Sequence, residues 1–180
     1  MMIDIASLLG TGTVILLLLL LLMRLARPLP KLTVMQKKWW LIFHIAGVVI
    51  YFTGVLGSLA LVLLGRGDLA GPAHQFVQYF DWFVIIPGAF ISLLTGFWIA
   101  LRTSWGLTRF WWVIAKWAGN IAAILYGSTL MRRWIHEGGT APAGRQLLLL
   151  GTVISLSILV LLMVISYLKP WGQRRPPALD

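Results

Sequence analysis

The chain has 180 residues, of which 59% are apolar and only 11% are charged. This composition and a mean hydropathy of +0.89 exclude an ordinary soluble domain and predict an integral membrane protein. In such a chain, a net charge of +10 serves to orient the protein in the membrane and excludes nucleic-acid binding. The lack of cysteine excludes disulfides, zinc thiolate sites and iron–sulfur clusters.

Five apolar windows follow one another along the chain. A bilayer core about 30 Å thick needs roughly 20 helical residues per crossing. Windows of about this length cover 5–23, 39–64, 82–101, 110–131 and 147–168. Since no run alternates apolar with polar residues as a barrel strand does, the sequence predicts an all-α bundle of five transmembrane helices. This bundle forms a single domain over residues 1–180.

The first window differs from the others because it is almost entirely leucine over Leu16–Leu22. It lacks a cleavage pattern of small residues and is preceded by an acid and followed by bases, so we expect a retained helix. A lipid-facing surface of this kind predicts that helices two to five form the bundle and that the first is peripheral. The fifth helix, which also carries few polar residues, is the alternative peripheral helix.

The connections carry further predictions. The segment 73–80 is expected to form a short helix at the membrane surface, and 136–145 is expected to be irregular because it is rich in Gly, Thr, Pro and Ala. Pro87 lies inside the third window and is expected to kink its helix, since proline lacks the backbone N–H. The outer-side residues His74 and His136 have no spacing that indicates a metal site.

Basic residues are distributed unequally between the connections. One side of the membrane receives ten of them: Arg24, Arg27, Lys31, Lys37, Lys38, Arg102, Arg109, Lys169, Arg174 and Arg175. The other side receives four: Arg66, Arg132, Arg133 and Arg145. Because Lys and Arg are retained in the cytoplasm, this predicts an N-terminus outside and a C-terminus in the cytoplasm.

Two ionisable residues lie inside predicted helices, where a charge costs about 2.5 to 3.5 kcal/mol near the bilayer centre. His44 and Lys116 lie five and six residues from the cytoplasmic ends of parallel helices, so their depths match. Tyr51 continues the helical face of His44, and Asn120 that of Lys116. These four residues are the candidate binding set, with Lys116 as the catalytic candidate and His44 as the candidate metal ligand. The alternatives are that Lys116 extends to the headgroups and that His44 bonds a backbone carbonyl across a helix interface.

Residues 39–131 resemble a known group of membrane proteins. The segment 43–54 (FHIAGVVIYFTG), Pro87 with the later Gly96-Phe97-Trp98, and Trp112 with Lys116 are similar to motifs of HemJ-type protoporphyrinogen oxidases and CopD-type copper-resistance membrane domains. The segment 103–117 (TSWGLTRFWWVIAKW) resembles more closely a family of small bacterial membrane proteins of unknown function.

The resemblance implies a bundle in the bacterial inner membrane that binds haem b or a porphyrin. His44 would then be an axial ligand, and Lys116 would be needed for activity. The oxidase pattern has a second histidine at the end of its first helix, where this chain has Leu63-Leu64-Gly65, and a Tyr-His pair where this chain has Tyr126-Gly127. The resemblance therefore implies a haem site with one histidine ligand.

Three functions follow from these observations. The first choice is a non-catalytic subunit or accessory factor that packs in the bilayer against a membrane-protein partner or a second copy of itself. The alternative is a redox protein that binds haem or porphyrin through His44 and Lys116. A small transporter is third, because the sequence has no inverted repeat of broken helices.

Overall fold

The computed structural model describes residues 5–137, 142–172 and 174, and within these ranges the regular structure is helical. The described residues form seven α-helices: α1 (Ile5–Ala26), α2 (Val34–Leu64), α3 (Ala70–Phe80), α4 (Ile86–Arg102), α5 (Trp111–Tyr126), α6 (Arg132–Glu137) and α7 (Pro142–Leu168). The all-α prediction is confirmed for the described residues. Four helical stretches there are long and apolar enough to cross a membrane: Ile5–Ala26, Val34–Leu64, Gly67–Arg102 and Ala143–Leu168.

The predicted crossing at 110–131 corresponds to α5 and a π-helical segment, Gly127–Met131, that continues it. This stretch is not among the four because its residues are less apolar. Lys116 and Asn120 lie in it, and both side chains carry a large transfer cost into hydrocarbon. The polar residues that mark the candidate site therefore also weaken the membrane signal of their own helix.

The start of α2 differs from the prediction. The helix begins at Val34, five residues before the predicted boundary. Thr33 caps it: its side chain accepts from the backbone N–H of Gln36, and the Gln36 side chain accepts from the backbone N–H of Thr33. This capping box satisfies two backbone donors and makes the polar turn before the apolar window helical.

The third predicted helix is longer and less regular than expected. A short 3-10 turn, Gly67–Leu69, leads into α3, which continues through a π-helical segment, Asp81–Ile85, into α4. Pro87 is in the first turn of α4, and the N–H of Ile86 bonds the Asp81 carbonyl five residues before it. The helix widens here because the proline ring would clash with the carbonyl of residue 83. The expected short helix at 73–80 is thus present as part of α3.

The prediction of an irregular segment at 136–145 is wrong at both of its ends. His136 belongs to α6, and the residues from Pro142 onward belong to α7. Proline is favoured in the first turn of a helix, where its missing N–H has no partner to lose. The middle of this segment, 138–141, lies outside the described residues.

The helices α2, α4, α5 and α7 form a closed bundle, because α2 packs against α4 and α7, and α5 packs against the same two helices. Helix α1 contacts α4 and α5 from outside, and only 11% of its apolar window is buried. Of the two alternatives, the structure therefore has α1 as the peripheral helix. A hydrophobic cluster that includes Leu93, Val55 and Ile124 fills the bundle, and Ile15 of α1 packs on it.

The two ends of the bundle differ in charge. The starts of α2 and α5 meet the ends of α4 and α7: the N–H of Leu32 bonds the Arg102 carbonyl, and the N–H of Arg174 bonds the Arg109 carbonyl. We call this end, which carries Lys37, Arg102, Arg109 and Lys169, the basic end. The opposite end carries Arg66, Arg132 and Arg145 with Asp68 and Asp81.

Candidate functional site

The interface between α2 and α4 is built on glycine. A Cβ atom added at Gly88 would lie 2.6 Å from the backbone nitrogen of Tyr51, and one added at Gly47 would lie 2.9 Å from the backbone nitrogen of Ser92. One added at Gly96 would lie 2.9 Å from Cε1 of His44. Glycine permits such close approach in membrane helices. The helical face of α2 that carries His44 and Tyr51 is therefore a packing face, and the candidate site lies on it.

His44 is hydrogen-bonded within this interface. Its Nδ1 lies 3.0 Å from the carbonyl oxygen of Ser92 and 3.1 Å from Oγ1 of Thr95. The Thr95 hydroxyl donates to the Ile91 carbonyl, so its oxygen accepts from Nδ1. Both partners accept, and hence Nδ1 carries the proton. His44 thus bonds a backbone carbonyl across a helix interface, which is one of the two roles predicted for it.

Ser92 links three helices. Its carbonyl accepts from His44 of α2, and its hydroxyl accepts from Nδ2 of Asn120 of α5 at 3.4 Å. The candidate residue Asn120 is therefore joined to the candidate His44 through α4. Sequence reasoning did not single out Ser92, although it lies three residues before Thr95 and so on the same helical face.

Lys116 bonds to a different helix. Its Nζ donates to Oγ of Ser166 in α7 at 2.9 Å. The ammonium is close enough to interact electrostatically with His44 and with Lys169, but its hydrogen bond does not belong to the His44 network. In the sequence, Ser166 is one of the few polar residues of an apolar helix, and only the packing of α5 on α7 reveals its role.

Tyr51 lies in the middle of the same interface. Its side chain is 5% exposed and belongs to the hydrophobic cluster of the bundle. Its backbone is the part that Gly88 approaches. The structure thus places Tyr51 on the same helical face as His44, as predicted, and there Tyr51 packs α2 against α4.

Charged side chains of the basic end lie over aromatic rings. The Lys37 ammonium lies 4.4 Å from the centre of the Trp105 ring, and the Lys169 ammonium lies 5.7 Å from that of Trp112. The two indoles touch each other at 5.7 Å in an edge-to-face arrangement. Arg102 is only 8% exposed, and its Nε donates to the Pro30 carbonyl at 2.9 Å. Cation–π contacts of this kind stabilise charges that are partly removed from water.

The opposite end contains a small, open cleft between α2, α3 and α7. His74 lines it; its Nε2 is 3.3 Å from Nε2 of Gln78, and its Nδ1 is buried without a hydrogen-bond partner. Arg145 lines the cleft too and donates to the carbonyls of Val62 and Leu63. In the part of the chain that the structure describes, no three His, Asp or Glu side chains are grouped as a metal site requires.

Comparison with family models, with curated proteins and with solved structures finds no match for this chain. The resemblance drawn from the motifs at 43–54 and 103–117 therefore stays a prediction. The candidate residues have to be interpreted from their own geometry.

Proposed function

We propose that this protein is a non-catalytic subunit or accessory factor that packs in the bacterial inner membrane against a protein partner. Four helices long and apolar enough to cross a membrane make it an integral membrane protein. The proposed topology has α5 with its π-helical extension as a fifth crossing and the basic end in the cytoplasm, in agreement with the distribution of Lys and Arg.

A row of exposed aromatic side chains, which we call the aromatic ridge, supports the proposal of a protein partner. Phe76, Tyr79 and Phe83 follow one another along one outward face of α3 and the π-helical segment, with exposed fractions of 54%, 58% and 75%. Their rings are in contact, at 6.4 Å and 6.5 Å between centres. Preassembled aromatic side chains are typical anchors of protein interfaces, because they bury a large area and lose little conformational entropy.

The lack of cysteine in the chain makes a clean test of the ridge available. A single cysteine at Phe83 is compared with one at Leu17, an exposed leucine of α1, in native membranes with a thiol-directed cross-linker. We expect a discrete cross-linked product, a second copy or another membrane protein, from Phe83→Cys and none from Leu17→Cys. Equal labelling of both positions by a lipid-soluble maleimide without any product would refute the proposal.

The orientation is tested with the same approach. Asp68 and Ser104 are both exposed and lie at opposite ends of the bundle. A membrane-impermeant maleimide added to intact cells should label Asp68→Cys and leave Ser104→Cys unlabelled until the cells are opened. The reverse pattern would place the basic end outside.

Haem binding remains the second candidate, because one observation favours it. Donation from Nδ1 of His44 to the Ser92 carbonyl fixes the ring and leaves Nε2 without a hydrogen bond among the described residues, as in many histidine metal ligands. His44 would hold the haem iron, and the bound haem would supply one-electron redox chemistry. Lys116 fits this site less well, since its hydrogen bond is to Ser166.

Visible spectra of the detergent-purified protein test this candidate. Haem binding predicts a Soret band in the wild type, expressed with haem available, and its loss in His44→Ala. Lys116→Met should keep the band. A colourless wild type would refute haem binding without affecting the proposed partner at the aromatic ridge.

A further inference from the structure

The ammonium group of Lys116 has an incomplete set of partners. It carries three donors, and the structure gives it one hydrogen bond, to the neutral hydroxyl of Ser166. Lys169 directly follows α7, and its ammonium lies 5.7 Å from the centre of the Trp112 ring, one helical turn before Lys116 in α5. A second positive charge is therefore close to Lys116. Two like charges at the edge of the hydrocarbon repel each other, and a neutral hydroxyl does not offset this repulsion.

The acidic side chains that the structure describes are remote from this pair. Within the described ranges, the acidic side chains that are placed are those of Asp68 and Asp81, and both lie at the opposite end of the bundle. Buried or half-buried cations are usually balanced by an anion. The described part of the protein leaves this role at the basic end to a group from its surroundings.

The backbone at Lys169 is unusual in the same region. Lys169 directly follows α7, with its N–H bonded to the Ile165 carbonyl and with a φ of 48°. This left-handed conformation normally belongs to glycine at the end of a helix and costs a side-chain-bearing residue about 1 kcal/mol. The strained position carries a lysine whose ammonium lies over the Trp112 ring. Strain retained at one residue is typical of functional positions.

A third lysine, Lys37, lies near the same tryptophan residues. Trp112 is 7% exposed and contacts Trp105, over which Lys37 lies. The indoles mark the depth of the headgroup region, where tryptophan is enriched. Lys37 and Lys169 therefore lie over the tryptophan pair at the headgroup level, and Lys116 lies one helical turn after Trp112 in α5.

We propose that the basic end holds the phosphate of an anionic phospholipid between Lys116 and Lys169, beside the Trp105–Trp112 pair. The phosphate accepts from both ammonium groups and replaces their mutual repulsion with two charge-assisted hydrogen bonds. Basic pockets between transmembrane helices on the cytoplasmic side bind lipid headgroups by the same chemistry. This proposal is independent of the aromatic ridge and of haem.

Native mass spectrometry of the full chain in a neutral detergent tests the proposal with added phosphatidylglycerol or phosphatidylcholine. The wild type should retain one phosphatidylglycerol in preference to phosphatidylcholine. The double variant Lys116→Gln/Lys169→Gln should bind it roughly 30-fold more weakly, from the loss of two basic contacts.

The matched control is Lys31→Gln/Lys38→Gln, which removes the same charge from two exposed lysines of the basic end. This variant should retain the lipid as the wild type does. Circular dichroism of all the variants verifies that helix content is unchanged. Equal retention by the two double variants, or equal retention of both lipids by the wild type, would overturn the proposal.

Inorganic phosphate at millimolar concentration distinguishes a site for a lipid phosphate from a site for a soluble phosphate. For a lipid site, phosphate should not displace phosphatidylglycerol, because it lacks the acyl chains that pack on α5 and α7. If phosphate alone stabilises the wild type and displaces the lipid, the site takes a soluble phosphate and the lipid proposal is wrong.

Discussion

His44 and Lys116 have similar depth in the sequence but different surroundings in the bundle. His44 lies between α2 and α4, where the Ser92 carbonyl and the Thr95 hydroxyl both accept from its ring. Lys116 lies between α5 and α7, where a single hydroxyl accepts from its ammonium and a second lysine is the neighbour. The His44 ring has two acceptors for its Nδ1 proton within the described chain. The Lys116 ammonium has one neutral acceptor there and no acidic partner among the described side chains.

The difference shows what a helix interface can supply. Glycine-lined packing brings backbone carbonyls close to a neighbouring side chain, so a neutral donor is satisfied at small cost. Carbonyls and hydroxyls do not neutralise a cation, and therefore an intramembrane lysine indicates an external anion more strongly than an intramembrane histidine does. Substitutions in each region should reveal this contrast.

The largest effect on stability is expected in the middle of the α2–α4 interface. Gly88→Ala places a Cβ 2.6 Å from the Tyr51 backbone, which forces the helices apart and should lower the free energy of unfolding by about 3 kcal/mol. Thermal and SDS-induced unfolding in detergent measure it. Gly10→Ala is the control, because nothing lies within 4 Å of the added Cβ on α1, and it should leave stability unchanged or raise it slightly. Equal effects of both would show that the interface is not tightly packed.

The second largest effect on the free energy of unfolding is expected at His44. His44→Ala removes the bonds to Ser92 and Thr95 and should lower the free energy of unfolding by about 1.5 kcal/mol, near the upper limit for polar contacts between membrane helices. Thr95→Val, which removes one of the two acceptors, should have a smaller effect in the same assay. A His44→Ala protein as stable as the wild type would mean that the ring bonds do not hold α2 to α4.

Substitution of Lys116 should have the opposite effect and stabilise the protein. Lys116→Met keeps the length of the side chain and removes an ammonium that has no carboxylate partner among the described residues, so it should raise stability by about 1 kcal/mol in neutral detergent. In detergent with phosphatidylglycerol this advantage should disappear, because the wild type gains the lipid. Destabilisation in neutral detergent would place the missing counter-ion within the protein itself.

The smallest effect is expected at Ser166. Ser166→Ala removes the hydroxyl that accepts from Lys116 and should lower stability by about 0.6 kcal/mol, the average for such contacts. Ser157→Ala is the matched control, since the Ser157 hydroxyl is exposed and bonds only the Val153 carbonyl of its own helix. A difference between the two variants that vanishes in the Lys116→Met background would assign the effect to the Lys116–Ser166 bond.

Periodicity and hydropathy predict the helical class of this protein well, since apolar windows of membrane length have few other solutions. The start of α2 was missed because the capping box of Thr33 and Gln36 lies in a polar segment that an apolar window ignores. The π-helical segment before Pro87 was anticipated only as a kink. Its form depends on how the freed carbonyls are rebonded, which composition does not specify.

The candidate residues were predictable as polar groups in apolar helices, but their partners were not. His44 and Asn120 meet through Ser92, and Lys116 meets Ser166. Serine in a membrane helix is common and often bonds its own backbone, so the sequence gives little reason to select these two. Which helices are neighbours decides the partners, and this depends on the glycine stripes of α2 and α4 taken together.

Arg145 gives the bundle an order of assembly. Its guanidinium donates to the carbonyls of Val62 and Leu63, at 3.0 and 3.1 Å, and so caps the end of α2 from the start of α7. The residues that it joins are 83 and 82 positions apart, which a ribosome needs roughly 4 to 17 s to synthesise. During that interval α2 lies in the membrane without the helix that covers its other flank. Until α7 is inserted, the carbonyls of Val62 and Leu63 lack this partner, and the insertion of α7 completes the end of α2.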